Sequence, residues 1–152
     1  MAVTANWYGK APSHLIKGEV VYLTDAVKVA LMTAAYVYDK DAHETFADII
    51  ANEIAVVANN GYTARGVALG TKSVTYDAPT DRSRMFAANP VWTPGAGVSL
   101  AAAHAVIYKD TGTNATSFLL GCVSFGTTIS ATGAPLTINF DVTDGMLYIQ
   151  VP

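Results

Sequence analysis

Charge is scarce in this chain: only 14% of its 152 residues are Asp, Glu, Lys or Arg, and the formal net charge is −3. That argues against a dedicated nucleic-acid binder, because neutralising phosphates takes clustered Lys and Arg. Arg65, Arg82 and Arg84 are the one basic group worth naming, and they read as solvated strand positions. Cysteine is nearly absent. The single Cys122 rules out an internal disulfide framework, and between Leu120 and Val123 it reads as a small buried hydrophobe. No apolar run is long enough for a membrane helix, since the greasiest window, Val27 to Tyr38, is short and carries Lys28 and Thr33. The opening MAVTANWYGK has no charged stretch followed by an apolar core, so it does not read as a secretory signal.

Catalytic signatures are missing as well. His14, His43 and His104 lie in different predicted elements without metal-site spacing. Asp39, Asp41 and Glu44 are the nearest approach to a carboxylate cluster, but the glycine and further oxygen ligands of a calcium loop are lacking, and a capped helix entry explains them better. No nucleophile elbow, P-loop or dinucleotide fingerprint occurs. Asn114-Ala115-Thr116 matches a glycosylation acceptor, which without a signal peptide carries little weight. No residue is therefore assigned to catalysis, a cofactor or a metal.

What the chain does have is apolar strand. Hydrophobic residues make up 51% of it, and the length suits one ordered domain with a real core. Two stretches, AAHAVIYKD (102–110) and FLLGCVSFG (118–126), flank the polar TGTNATS and read as a hairpin. Successive side chains of a strand point to opposite faces. Here His104, Val106 and Tyr108 share one face while Ala103, Ala105 and Ile107 share the other, so neither face is polar and both need cover.

Elsewhere the pattern predicts two short helices in the N-terminal third. One starts near Ala11 with Pro12 and ends at Gly18; the other is entered through Asp41 and Glu44, with Phe46, Ile49 and Ile50 at helical spacing. Val27 to Met32 reads as a strand. From Asn60-Gly61 onward, turn signals recur at a spacing typical of a sandwich or barrel. Val74 and Tyr76 alternate with Ser73, Thr75 and Asp77 as a half-buried strand, returned by Arg84 to Ala88; Pro90 and Thr93-Pro94-Gly95 break the chain around Val91 and Trp92. Leu136, Ile138, Phe140 and Val142 form the cleanest alternation, and after the Asp144-Gly145 turn Leu147, Ile149 and Val151 should pair with that strand. The fold expected is mainly β: one domain over residues 1–152, an antiparallel β-sandwich with one or two short helices, and residues 1–20 as an N-terminal arm.

NWYGKA, KVALMTAAY with DKDAHETFADI, GYTARGVAL with KSVTYDA, and above all AHAVIYKDTGTNATSFLLGCVSFG together resemble small virion structural proteins of tailed bacteriophages over nearly the whole chain. Where the family pattern carries an acidic residue before Phe125-Gly126, this chain has Ser124. The resemblance implies no catalytic residues. It implies synthesis in the host cytoplasm, assembly on the virion surface as a capsid decoration or cement protein, and the major capsid protein and further copies of the chain as partners. Trp7, Tyr8 and Trp92 are then candidate interface anchors, together with Thr113 and Asn114 at the hairpin tip. Two other expectations stay open: a tail or baseplate component, and a carbohydrate-binding sandwich with Tyr22, Tyr62 and Trp92 as platforms.

Overall fold

The computed structural model describes residues 2–150, and the predicted hairpin lies at its centre. In chain order the strands are β1 (Ala2–Val3), β2 (Asn6–Trp7), β3 (Val27–Met32), β4 (Val67–Ala68), β5 (Ser73–Asp77) and β6 (Arg82–Phe86). They continue with β7 (Val91–Trp92), β8 (Ser99–Lys109), β9 (Leu119–Thr132), β10 (Leu136–Thr137), β11 (Asn139–Phe140) and β12 (Leu147–Gln150); one helix, α1 (Ala11–Ile16), follows β2. The fold is mainly β and its main sheets are antiparallel. A five-stranded sheet runs β2-β9-β8-β3-β4, and a three-stranded sheet runs β12-β6-β5. Two small pairs complete it, β10 with β7 and the parallel β1 with β11.

Both faces of the central hairpin are covered, as its composition requires. On one face Tyr108 stacks on Phe46 at 4.5 Å, His104 meets the Tyr36 ring edge-on at 5.3 Å, and Tyr8 is wholly buried. The segment from Tyr8 to Ile54 supplies this cover with α1 and irregular turns. The opposite face carries Ile107 and, paired with it, Gly121. Leu147 of β12 packs there, so the three-stranded sheet is fastened to the five-stranded one at a position with no side chain.

β8 and β9 are not in continuous register. Ala102 pairs with Ile129 and His104 with Ser124, so Ala103 alone stands opposite the four residues from Phe125 to Thr128. This wide bulge re-aims β9 at Gly126, whose φ of 73° favours a residue without Cβ. Ser124 Oγ accepts a hydrogen bond from the Gly126 N–H at 3.3 Å and supports the turn.

Several expectations need correction. The second helix is replaced by two 3₁₀ turns, Phe46–Asp48 and Ile50–Asn52. Their entry is capped by Asp48, whose Oδ2 accepts from the N–H groups of Glu44 and Thr45, rather than by Asp41 and Glu44. The alternating run from Leu136 to Val142 is split: Leu136 and Thr137 pair with β7, Asn139 and Phe140 with β1, and the Ile138 N–H goes to Pro90 O. Val142 is 89% exposed because the Asp141 carboxylate accepts the Thr143 and Asp144 N–H groups and turns the chain. β12 pairs with β6 instead of that run, and Val151 lies outside the described residues. β5 is a strand, but Val74 and Tyr76 are exposed rather than half-buried. Residues 2–20 are not a free arm: β1 and β2 enter two sheets, and Ala5, Tyr8 and Ala11 belong to the core.

Candidate functional site

Of the residues expected to anchor an interface, the fold brings Thr113 and Asn114 to the surface at the tip of the β8–β9 hairpin. The tip is a hydrogen-bonded loop with little freedom. Thr111 Oγ1 and Thr116 Oγ1 lie 2.6 Å apart, and the buried Ser117 hydroxyl donates to Thr113 O at 2.8 Å. Asn114 Oδ1 accepts from Arg65, which fixes its orientation.

Arg65 ties this tip to the body. Its backbone is left-handed, with φ of 68°, and its N–H donates to Glu53 Oε1 at 2.5 Å. Its guanidinium lies over Phe46, 5.0 Å from the ring centroid, and bonds the Asp110 carboxylate and Ser117 Oγ. Lys28 Nζ meets the other Asp110 oxygen at 2.6 Å. Burial alone would raise the Asp110 carboxyl, but the hydrogen bonds from Lys28, Arg65 and the Gly112 N–H outweigh it and hold it at about 2. The three arginines expected to be solvated are instead engaged, Arg82 with Asp144 at 2.8 Å and Arg84 with Asp77 at 3.0 Å.

The aromatic candidates lie elsewhere. Tyr8 is fully buried, its hydroxyl 2.5 Å from that of Tyr36, and Trp92 is 1% exposed. These two are members of the hydrophobic core, not surface anchors. Trp7 is half-buried and donates its Nε1–H to Tyr148 O at 2.7 Å, so its polar edge is spent within the chain. Tyr22 and Tyr62 are buried too, their hydroxyls directed to Phe86 O and Glu53 Oε1. With Trp92 they offer no exposed ring on which a sugar could stack.

The fold assembles one group that spacing did not reveal. Tyr36 stands near His43, at 5.6 Å between ring centroids, and near His104, at 5.3 Å, while its hydroxyl meets that of Tyr8, which in turn contacts Cys122. Burial pushes the Tyr8 and Tyr36 phenols up and takes the Cys122 thiol to about 12. Burial lowers His104, against a backbone contact from Thr33 that raises it. Burial thus favours the uncharged forms of Tyr8, Tyr36, Cys122 and His104, which are held as packing elements with short polar links. His104 Nδ1 is buried without a hydrogen-bond partner, beside a cleft of about 250 Å³ lined by Ala34, Ala103, Ser124, Gly126, Thr127 and Thr128. The third histidine, His14, is buried and stacks on Phe118 at 3.9 Å, with Nδ1 2.6 Å from Glu19 Oε2. Its Nε2 lies 3.2 Å from Glu44 Oε1 but off the hydrogen-bonding direction.

The acidic group does not converge. Asp39 accepts the N–H groups of Asp41 and Ala42, whereas Glu44 pairs with Lys10 at 2.5 Å. Among the described residues no three His, Cys, Asp or Glu side chains stand close enough to share a metal ion, and no helix is long and apolar enough to cross a membrane. The arrangement offers surfaces: a braced polar tip, and apolar side chains left in solvent at Ile16 (88% exposed), Val37 (76%) and the Val142 turn. Searched against known protein families, curated proteins and solved structures, the chain matches none.

Proposed function

We propose that this chain is a non-enzymatic structural protein of a tailed-phage virion, and specifically a capsid decoration protein that binds the lattice of the major capsid protein. The observation that carries the reading is a charge-poor chain with nearly bare aliphatic side chains at turns, beside a hairpin tip whose polar groups are braced by Arg65 and Ser117. Large apolar groups held in water have a use when a partner removes them from it; each contributes roughly 1.5–3 kcal/mol when fully buried. A repeated lattice multiplies such modest contacts through effective concentration. The resemblance carried by the hairpin sequence points the same way. Thr113 and Asn114 are the contacts assigned to the tip, where a rigid loop loses little entropy on docking.

Mass spectrometry and imaging of purified particles test this. Decoration of the head requires the chain on the shell at on the order of hundreds of copies, as expected for a subunit following the capsid symmetry. Its absence from the shell would overturn the reading, and a count of about six or twelve at the portal or tail would move it to the tail.

A further inference from the structure

The three-stranded sheet is closed on one side and open on the other. Beside β12, Ala5 N–H donates to Met146 O at 2.8 Å and Trp7 Nε1–H to Tyr148 O at 2.7 Å, so the N-terminal segment covers that edge. β5 is the opposite edge. Among the described residues, no hydrogen bond from outside the sheet reaches the backbone of Ser73–Asp77. Proteins usually blunt such an edge with Lys, Pro, a bulge or a covering loop. Here Ser73 to Tyr76 contains none of these, and the adjacent Lys72 is drawn inward, its Nζ donating to Asp25 O and standing 5.7 Å from the Tyr22 ring centroid.

One face of this sheet is also unfinished. Cross-strand pairing places Val74, Met85 and Leu147 in one row and Tyr76, Ser83 and Ile149 in the next. Met85 and Leu147 are buried, whereas Val74, Tyr76 and Ile149 are 45%, 60% and 43% exposed. The edge sequence Ser-Val-Thr-Tyr-Asp is polar at its ends and centre and apolar between, so its polarity reads the same in both directions about Thr75. A strand with that symmetry is complementary to itself when paired antiparallel across a two-fold axis.

We propose that β5 is the docking edge for a second copy of this chain, the two sheets joining antiparallel about Thr75. Val74 then stands opposite the partner's Tyr76, and the reverse, so each apolar row continues across the axis. Asp77 stands opposite the partner's Ser73, so no like charges meet, and Asp77 is already neutralised by Arg84 at 3.0 Å. Main-chain hydrogen bonds give the affinity, as in strand addition generally, while the Val–Tyr pairs set the register. The inference rests on the sheet edge and not on the virion reading, and the purified chain in solution tests it alone.

Sedimentation equilibrium of the wild-type chain across a wide concentration range should show a monomer–dimer equilibrium. Tyr76→Lys, at a position 60% exposed, should weaken the dimer roughly tenfold while leaving the far-ultraviolet circular dichroism spectrum of the dilute monomer unchanged. Oxidation should cross-link Thr75→Cys across the axis, roughly tenfold faster than Val74→Cys or the tip control Thr113→Cys, because only directly opposed positions approach disulfide distance. A wild-type chain that stays monomeric throughout, a trimer, or a Thr75→Cys rate equal to that of the tip control would overturn the proposal.

Discussion

Leu147 occupies the space that Gly121 leaves vacant: a Cβ at position 121 would lie 2.9 Å from Leu147 Cδ2 and 3.0 Å from the Ala5 Cβ. Leu147 is fully buried and the Ala5 methyl has no rotamer to change, so neither neighbour gives way easily. Gly121→Ala should therefore destabilise the fold by about 1–3 kcal/mol through overpacking. Combining it with Leu147→Ala should recover part of that loss, which urea denaturation of the single and double variants would measure.

Asp110 links β3, the Arg65 turn and the hairpin tip, and its carboxyl is held at about 2. An unfolded aspartate titrates near ~3.9, so the folded value is depressed. The stabilisation is thus complete above about pH 4 and is lost as the pH falls towards about 2, amounting to about 2 kcal/mol. Asp110→Asn should lower stability near neutral pH and abolish this share of the acid dependence. Hydrogen bonds also hold the carboxyls of Asp25, Glu44 and Asp48 below their ordinary values, so the difference between wild type and variant is the quantity to follow.

Cys122 is buried and its thiol is pushed up to about 12 by that burial. Thiolate is the reactive form, so the native chain should fail to react with a thiol reagent such as Ellman's at about pH 8 and should release one equivalent only after denaturation. Rapid labelling of the native chain would show that the face under Tyr8 opens readily.

Ile107 and Val123 lie on the hairpin face covered by the three-stranded sheet, 0% and 2% exposed. Ile107→Asp or Val123→Asp should abolish soluble folding, since neither site has a partner for a buried carboxylate. A variant that stays folded by circular dichroism but no longer joins the particle would show that this face is an interface instead.

The parts of the fold legible in the sequence were those governed by local rules. Val27–Met32, the Pro12 helix and the greasy hairpin appear where periodicity and punctuation put them. Leu136, Ile138 and Phe140 are buried as their alternation predicts, yet the run is divided between two partners, because alternation names a face and not a neighbour. The spacing of Phe46, Ile49 and Ile50 was equally ambiguous: two 3₁₀ turns bury Phe46 and Ile49 as well as a helix would, and leave Ile50 40% exposed. At the tip, the position of Thr113 and Asn114 in a polar turn between the two strands is legible from the sequence. The grip of Arg65 on that turn is not, since it depends on a left-handed backbone at a residue type that seldom adopts one. Tyr8 and Trp92 lie in the core, a place the sequence leaves open because an aromatic beside irregular chain serves a core or a partner equally well and no local signal separates the two.

The stitching of the N-terminal segment to the region around residues 139–148 bears on how the chain acquires its structure. Thr4 and Trp7 reach Gly145 and Tyr148 over 141 positions of sequence, and Val3 pairs with Phe140. Loop closure of that length carries an entropic cost before any contact forms, and non-local pairing slows folding. During synthesis β1 must wait for β11, and Thr4 for Gly145, so the N-terminal segment cannot close onto that region until those residues are made. That closure is a late step of folding, and the interval before it is when aggregation competes most strongly.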